Sequence, residues 1–179
     1  MKDKIKRCAF DFIGFLILRA IDRITKIWAT ERLSSGGSIQ LIPKVLELYY
    51  LPNGNTGAAF GILAGHRLLF LAIALIVVLV IAYILFNMPT DRKYRIVEIL
   101  LVFIAAGGVG NMIDRIGNTY VIDFIYISCI NFPVFNVADM YVSVCTVVLA
   151  VIVLFKYKED DYAVFDKAMG SPFKKKDKK

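Results

Sequence analysis

The sequence predicts an all-α membrane protein, a four-transmembrane-helix bundle with a small extracytoplasmic β element. Hydrophobic residues fill 58% of its 179 positions, against roughly 45–50% in a soluble domain, and the mean hydropathy is +0.64. One soluble core cannot hide that much apolar surface, so the chain belongs in a bilayer. Apolar stretches at about 10–29, 68–86, 96–113 and 135–155 each approach the ~20 residues needed to cross about 30 Å of hydrocarbon. The basic residues fall in blocks between and beyond these stretches, which gives the spans an orientation.

Lys2, Lys4, Lys6 and Arg7 precede the first span, Arg92, Lys93 and Arg95 lie between the second and third, and Lys174–Lys176, Lys178 and Lys179 end the chain. By the positive-inside rule these segments, and so both termini, are cytoplasmic. The loops 30–67 and 114–134 then face outward, with Arg32, Lys44, Arg67 and Arg115 as their basic residues. Lys+Arg 22 against Asp+Glu 15 leaves a net charge of +7, read here as membrane orientation and not as affinity for nucleic acid. Residues 1–158 form a single membrane domain, and 159–179 a charged cytoplasmic tail that attracts anionic lipid.

The first span starts like a signal peptide, but Arg19, Asp22, Arg23 and Lys26 follow its apolar run and no small-x-small cleavage pattern ends it. Retention is therefore expected. Arg19, Asp22, Arg23 and Lys26 fall at i, i+3, i+4 and i+7, on one helical face. They read as a structural ion-pair stripe facing the bundle near the outer interface, its basic side chains snorkelling outward. The second span carries no polar group but the Tyr83 hydroxyl. In the outward loops, Lys44–Leu51 before the turn Pro52-Asn53-Gly54, and Thr119–Ile127 after Gly117-Asn118, read as short strands.

The third span ends in Gly107-Gly108-Val109-Gly110-Asn111-Met112-Ile113-Asp114-Arg115. The glycines allow close helix approach, while Gly107, Asn111 and Asp114 share a face. Arg115 beside Asp114 is suited to hold that acid ionised or to bind an anionic group. The fourth span opens with Asn136 and Asp139 on one face, where a polar side chain also caps a helix, a role that suits Asn136 better. Asp123 lies between apolar neighbours with no base nearby in sequence, so it needs a partner or a raised pKa.

Two such acids suggest an aspartyl dyad that shares one proton, one carboxyl activating a water and the other serving the scissile carbonyl. Such a pair needs no metal and no cofactor, in keeping with one histidine and three scattered cysteines, Cys8, Cys129 and Cys145, read as reduced or buried bystanders. Spacing alone does not exclude Asp114 from the pair. It also leaves open a proton-relaying carrier or a noncatalytic assembly protein.

Asp22-x-x-x-Lys26, Asn55-Thr56-Gly57-Ala58-Ala59-Phe60, Gly107-Gly108-x-Gly110-Asn111-x-x-Asp114-Arg115, Val121-x-Asp123-Phe124 and Phe135-Asn136-x-Ala138-Asp139 together resemble the lipoprotein signal peptidase (signal peptidase II) family. The resemblance implies a membrane aspartyl endopeptidase of a bacterial inner membrane, with its active site at the extracytoplasmic face. Its substrate would be a diacylglyceryl-modified prolipoprotein, cut just before the lipidated cysteine. It assigns Asp123 and Asp139 as catalytic, and Asn55, Gly57, Asn111, Asp114, Arg115 and Asn136 to dyad support or substrate binding. A monomer that works among membrane lipids is expected, with the outer loop Ser34–Gly65 closing over the peptide.

Overall fold

The computed structural model describes residues 2–57, 66–159 and 161. The described residues build α1 (Lys2–Leu33), β1 (Ser38–Ile42), β2 (Leu46–Tyr49), α2 (Arg67–Asn87), α3 (Arg95–Asn118), β3 (Ile125–Ile127) and α4 (Val137–Lys156), with 3-10 turns at Arg92–Tyr94 and Ser128–Ile130. The tail beyond Asp161, Ala58-Ala59-Phe60 of the sequence motif and the 58–65 part of the expected closing loop lie outside the described residues.

Among the described residues, three helices are long and apolar enough to cross a membrane: 67–87, 92–118 and 137–156. α1 is longer than expected, since the helix runs through the charges on both sides of its apolar stretch. Those charges keep it from qualifying as an apolar span by composition. α2 buries only Ile81 and turns Leu68, Ile76, Leu79 and Phe86 outward, a surface suited to hydrocarbon and not to water. α3 lies at the centre, packed against α1, α2 and α4.

Glycines let α3 take that place. A Cβ on Gly107 would come within 2.5 Å of the Ala138 carbonyl oxygen, and one on Gly110 within 2.7 Å of Asp22 Oδ2. α4 and the polar face of α1 therefore touch the α3 backbone directly. α3 continues to Asn118, four residues past Asp114, so Asp114 and Arg115 belong to the helix and not to an outward loop. Helical geometry prevails because Gly117 is not followed by a proline and Thr119, at φ 72°, terminates the helix.

The β element is a three-stranded antiparallel sheet with β2 in the middle; Ile39 pairs with Leu48, and Leu48 with Ile125. β1 had no counterpart in the sequence reading, and the expected strand 119–127 shrinks to β3 plus a single bridge between Asn55 and Val121. Ala29 and Leu33 of α1 pack with Ile122 and Phe124, fixing the sheet's root to the end of the bundle. Each such apolar side chain contributes roughly 1.5–3 kcal/mol when fully buried. Gly54, at φ 67°, closes the expected turn after Pro52 by donating its N–H to the Leu51 carbonyl.

Candidate active site

Asp123 is placed by backbone pairing on both sides. The Leu51 N–H donates to its carbonyl at 3.0 Å, Tyr49 N–H donates to Phe124, and Phe124 N–H donates to Phe135. The short extended run 121–124 is thereby held between the chain leaving β2 and Phe135, just ahead of the α4 cap. Asp139 is placed by the helix start. Asn136 caps α4 with its side-chain oxygen on the Asp139 N–H at 3.0 Å, while Asp139 Oδ2 accepts the Asn136 N–H at 3.1 Å. This reciprocal box satisfies two otherwise orphaned donors of the first turn. Asn136 thus caps the helix as expected, and Asp139 shares the task.

The same Asn136 joins the two acids, because its Nδ2 donates to Asp123 Oδ1 at 2.6 Å while its backbone N–H holds Asp139. Asn55 Nδ2 donates to Asp123 Oδ2 at 2.9 Å, and Asn111 Nδ2 to Asp139 Oδ1 at 2.7 Å. Every carboxylate oxygen of the pair therefore accepts a bond from an asparagine. Asp123 is 1% exposed. Burial, followed by the neighbouring Asp139 carboxylate, pushes its pKa up to about 7, although Asn55 and Asn136 favour its charged form.

An amide side chain must be oriented to serve this way, and its oxygen decides the matter. The Asn55 oxygen accepts the Gly57 N–H at 2.9 Å and the Asn136 oxygen accepts the Asp139 N–H. Backbone N–H groups only donate, so both NH2 groups are committed to the acids. This is the part Gly57 plays through its backbone, and its carbonyl in turn receives Arg115 Nη2 at 3.0 Å.

Asp114 and Arg115 do not pair as adjacency suggested. In a helix, neighbours in sequence point about 100° apart, and Asp114 turns inward to Lys26 Nζ at 2.8 Å, with Ile122 N–H donating to it at 3.4 Å. Arg115 instead reaches the Gly57 carbonyl and lies 4.9 Å from the Phe70 ring centre. Nor does Lys26 snorkel: it is fully buried, 3.1 Å from Asp22, which also pairs with Arg19 at 2.6 Å. The stripe faces the bundle as expected except for Arg23, which is exposed. The sequence offered no sign of the Phe70–Arg115 contact or of Ala138 seated on Gly107.

Asp139, Asn55, Gly57 and Arg115 line a cavity of about 400 Å³ whose remaining wall includes Phe70–Val78 positions of α2, 132–135 and Ser143. Its lining is polar where the acid lies and apolar along α2. A family model described as signal peptidase (SPase) II matches residues 14–155. A lipoprotein signal peptidase of Clostridium tetani is 41% identical over 145 residues, 79% of this chain and 88% of that protein. One of Streptococcus pyogenes serotype M6 is 38% identical over 151 residues, covering 84% and 94%. Two solved structures of bacterial membrane enzymes superpose with TM-scores of 0.70 and 0.71 at 26% and 27% identity, over 96% and 84% of this chain and 95% of each of theirs.

Proposed function

From its place in the signal peptidase II family, to which this chain belongs, we propose that Asp123 and Asp139 are the catalytic pair of a membrane aspartyl endopeptidase. The enzyme removes signal peptides from diacylglyceryl-modified prolipoproteins, cutting just before the lipidated cysteine. Asn136 carries the residue assignment, since one side chain and its own N–H reach both carboxylates. Two acids held this close share a proton. The ionised member takes a proton from water as the oxygen attacks the scissile carbonyl, and the protonated member gives its proton to the carbonyl oxygen. As the tetrahedral intermediate collapses the C–N bond breaks, the proton first taken from water passes to the leaving amine, and the hydroxyl formed from the carbonyl oxygen returns its proton to the other carboxylate, which restores the singly protonated pair.

The apolar wall along α2 suits the lipid and signal-peptide side chains, while Arg115, Gly57 and Asn55 border the end that receives the peptide backbone. All four long helices span the membrane in this reading. α1 crosses because its charges are matched within the bundle: Arg19 and Lys26 against Asp22 and Asp114. Both termini are cytoplasmic, the dyad lies at the extracytoplasmic face of a bacterial inner membrane, and the chain acts as a monomer among lipids. Residues 1–158 form the peptidase and 159–179 a cytoplasmic arm.

The test is purified protein in detergent with a prolipoprotein substrate, with and without its diacylglyceryl group. The lipidated form should yield a product beginning at the modified cysteine. Equal cleavage of both forms would contradict the role given to the apolar wall.

A further inference from the structure

We infer that Lys26 is a positioning residue for catalysis, acting on Asp139 by fixing which end of the Asn111 side chain faces that carboxylate. The inference rests on the dyad assignment above. Asn55 and Asn136 take their orientation from backbone N–H groups, but among the described residues no backbone donor reaches the Asn111 oxygen. Its partners are Lys26 Nζ at 3.0 Å and Asn136 Nδ2 at 3.2 Å.

An ammonium has three donors and no acceptor. Lys26 Nζ donates to Asn111 Oδ1 at 3.0 Å and forms ion pairs with Asp22 Oδ1 at 3.1 Å and Asp114 Oδ2 at 2.8 Å, and it is fully buried. Two carboxylates fix the ammonium, and the third direction fixes the amide. Were Asn111 to flip, its NH2 would face two donors and its oxygen would face an oxygen of Asp139. A cation on the amide oxygen also polarises the NH2, making it a stronger donor to Asp139 Oδ1. Lys26 thus keeps that face of Asp139 an acceptor, the state from which the residue takes a proton. The distance in sequence is large, 85 residues between Lys26 and Asn111, so the first helix acts through the third on chemistry performed by the fourth and the loop before it.

A merely structural brace between α1 and α3 would have different consequences. The groups around the site are Arg19 and Asp22 on α1, Asp114 and Arg115 on α3, Asp139 on α4 and Asp123 in the preceding loop. Losing a brace in Lys26→Met lowers melting temperature and raises KM and lowers kcat together, while Asn111→Ala, which keeps every ion pair, leaves the pH profile unmoved. Losing the orientation of Asn111 lowers kcat with KM nearly unchanged, and moves the acid limb of kcat to higher pH, because the flipped amide accepts from a protonated Asp139.

The test compares kcat, KM, the pH profile and melting of full-length wild type, Lys26→Met, Asn111→Ala, the double variant and Lys26→Arg, with a diacylglyceryl-modified prolipoprotein as substrate. Lys26→Met and Asn111→Ala should each lose on the order of 10–100-fold in kcat with the acid limb raised, as removal of a supporting partner does. The double variant should be no worse than Asn111→Ala, since both act through one bond. Lys26→Arg, still a pure donor, should recover part of the loss and the original limb. Should Lys26→Met not fold, Lys26→Met with Asp114→Asn removes both charges of one pair, and Asn111→Ala leaves every ion pair intact. An unmoved acid limb in Asn111→Ala, or multiplicative losses in the double variant, would overturn the inference. Asp139→Asn separates the two claims: an inactive Asp139→Asn beside a Lys26→Met of normal profile sinks only the role of Lys26, whereas an active Asp139→Asn sinks the dyad.

Discussion

Three asparagines do at this site what hydroxyls or backbone groups do elsewhere: they hold two carboxylates close together without adding charge. Their value lies in a committed orientation, set by Gly57, Asp139 and Lys26 on their oxygens. A consequence appears in the pH dependence. Asp123, with its pKa near 7, gives up its proton as the medium passes neutrality, and in the proposed mechanism the singly protonated pair is the reactive form. The rate should therefore fall on the alkaline side with an apparent pKa, belonging to the pair, near that value. Asn55 bonds to the ionised Asp123 and opposes the rise, so Asn55→Ala should shift the alkaline limb to still higher pH. A downward shift in the rate profile would contradict the bond as drawn. These residues were legible from sequence by type and by motif, down to the cap role of Asn136. Their pairing was not. Asp114 was matched to the adjacent Arg115, whereas the structure gives it Lys26 on another helix, because helical geometry separates neighbours and only the packing of α1 on α3 brings the lysine near.

At the scale of elements, the site depends on how closely α4 and α1 approach α3. Gly107 and Gly110 admit the Ala138 carbonyl and the Arg19–Asp22 pair, so the face carrying Asn111 can reach Asp139. A methyl on Gly107 would have to displace backbone, not the tip of a flexible side chain. Gly107→Ala is therefore expected to lower the melting temperature by several degrees, corresponding to about 1–3 kcal/mol, and to lower turnover at least ten-fold by moving Asp139. Normal melting and turnover would show that α4 does not need this contact. The glycine run announced close packing in the sequence, and the helices followed from hydropathy. The length of α1, the extension of α3 to Asn118 and the strand β1 did not. Charges paired inside a bundle look in sequence like the end of a span, and β1 has its five residues exposed, so it carries no burial pattern to read.

For the molecule as a whole, polar groups gather at both ends of the bundle, with apolar faces between. At the end away from the dyad, Arg7 donates to the Leu85, Met88 and Pro89 carbonyls that finish α2 and lies 2.9 Å from Glu98 of α3, while Arg95 pairs with Glu98 and Asp11. This clamp ties three helices together. At the other end the sheet, the cap of α4 and the asparagines converge on two acids. The most direct measurement of what they do is single-turnover cleavage of a diacylglyceryl-modified prolipoprotein by purified Asp123→Asn, Asp139→Asn and the double variant, with melting as the control for folding. Asparagine keeps the shape and removes the exchangeable proton. The dyad assignment predicts near-complete loss for each single variant and little further loss for the double, because members of one catalytic unit are not additive. Substantial turnover by a well-folded Asp123→Asn or Asp139→Asn would contradict it, and an inactive, folded Asp114→Asn beside an active Asp123→Asn would move the chemistry to Asp114 and Asp139.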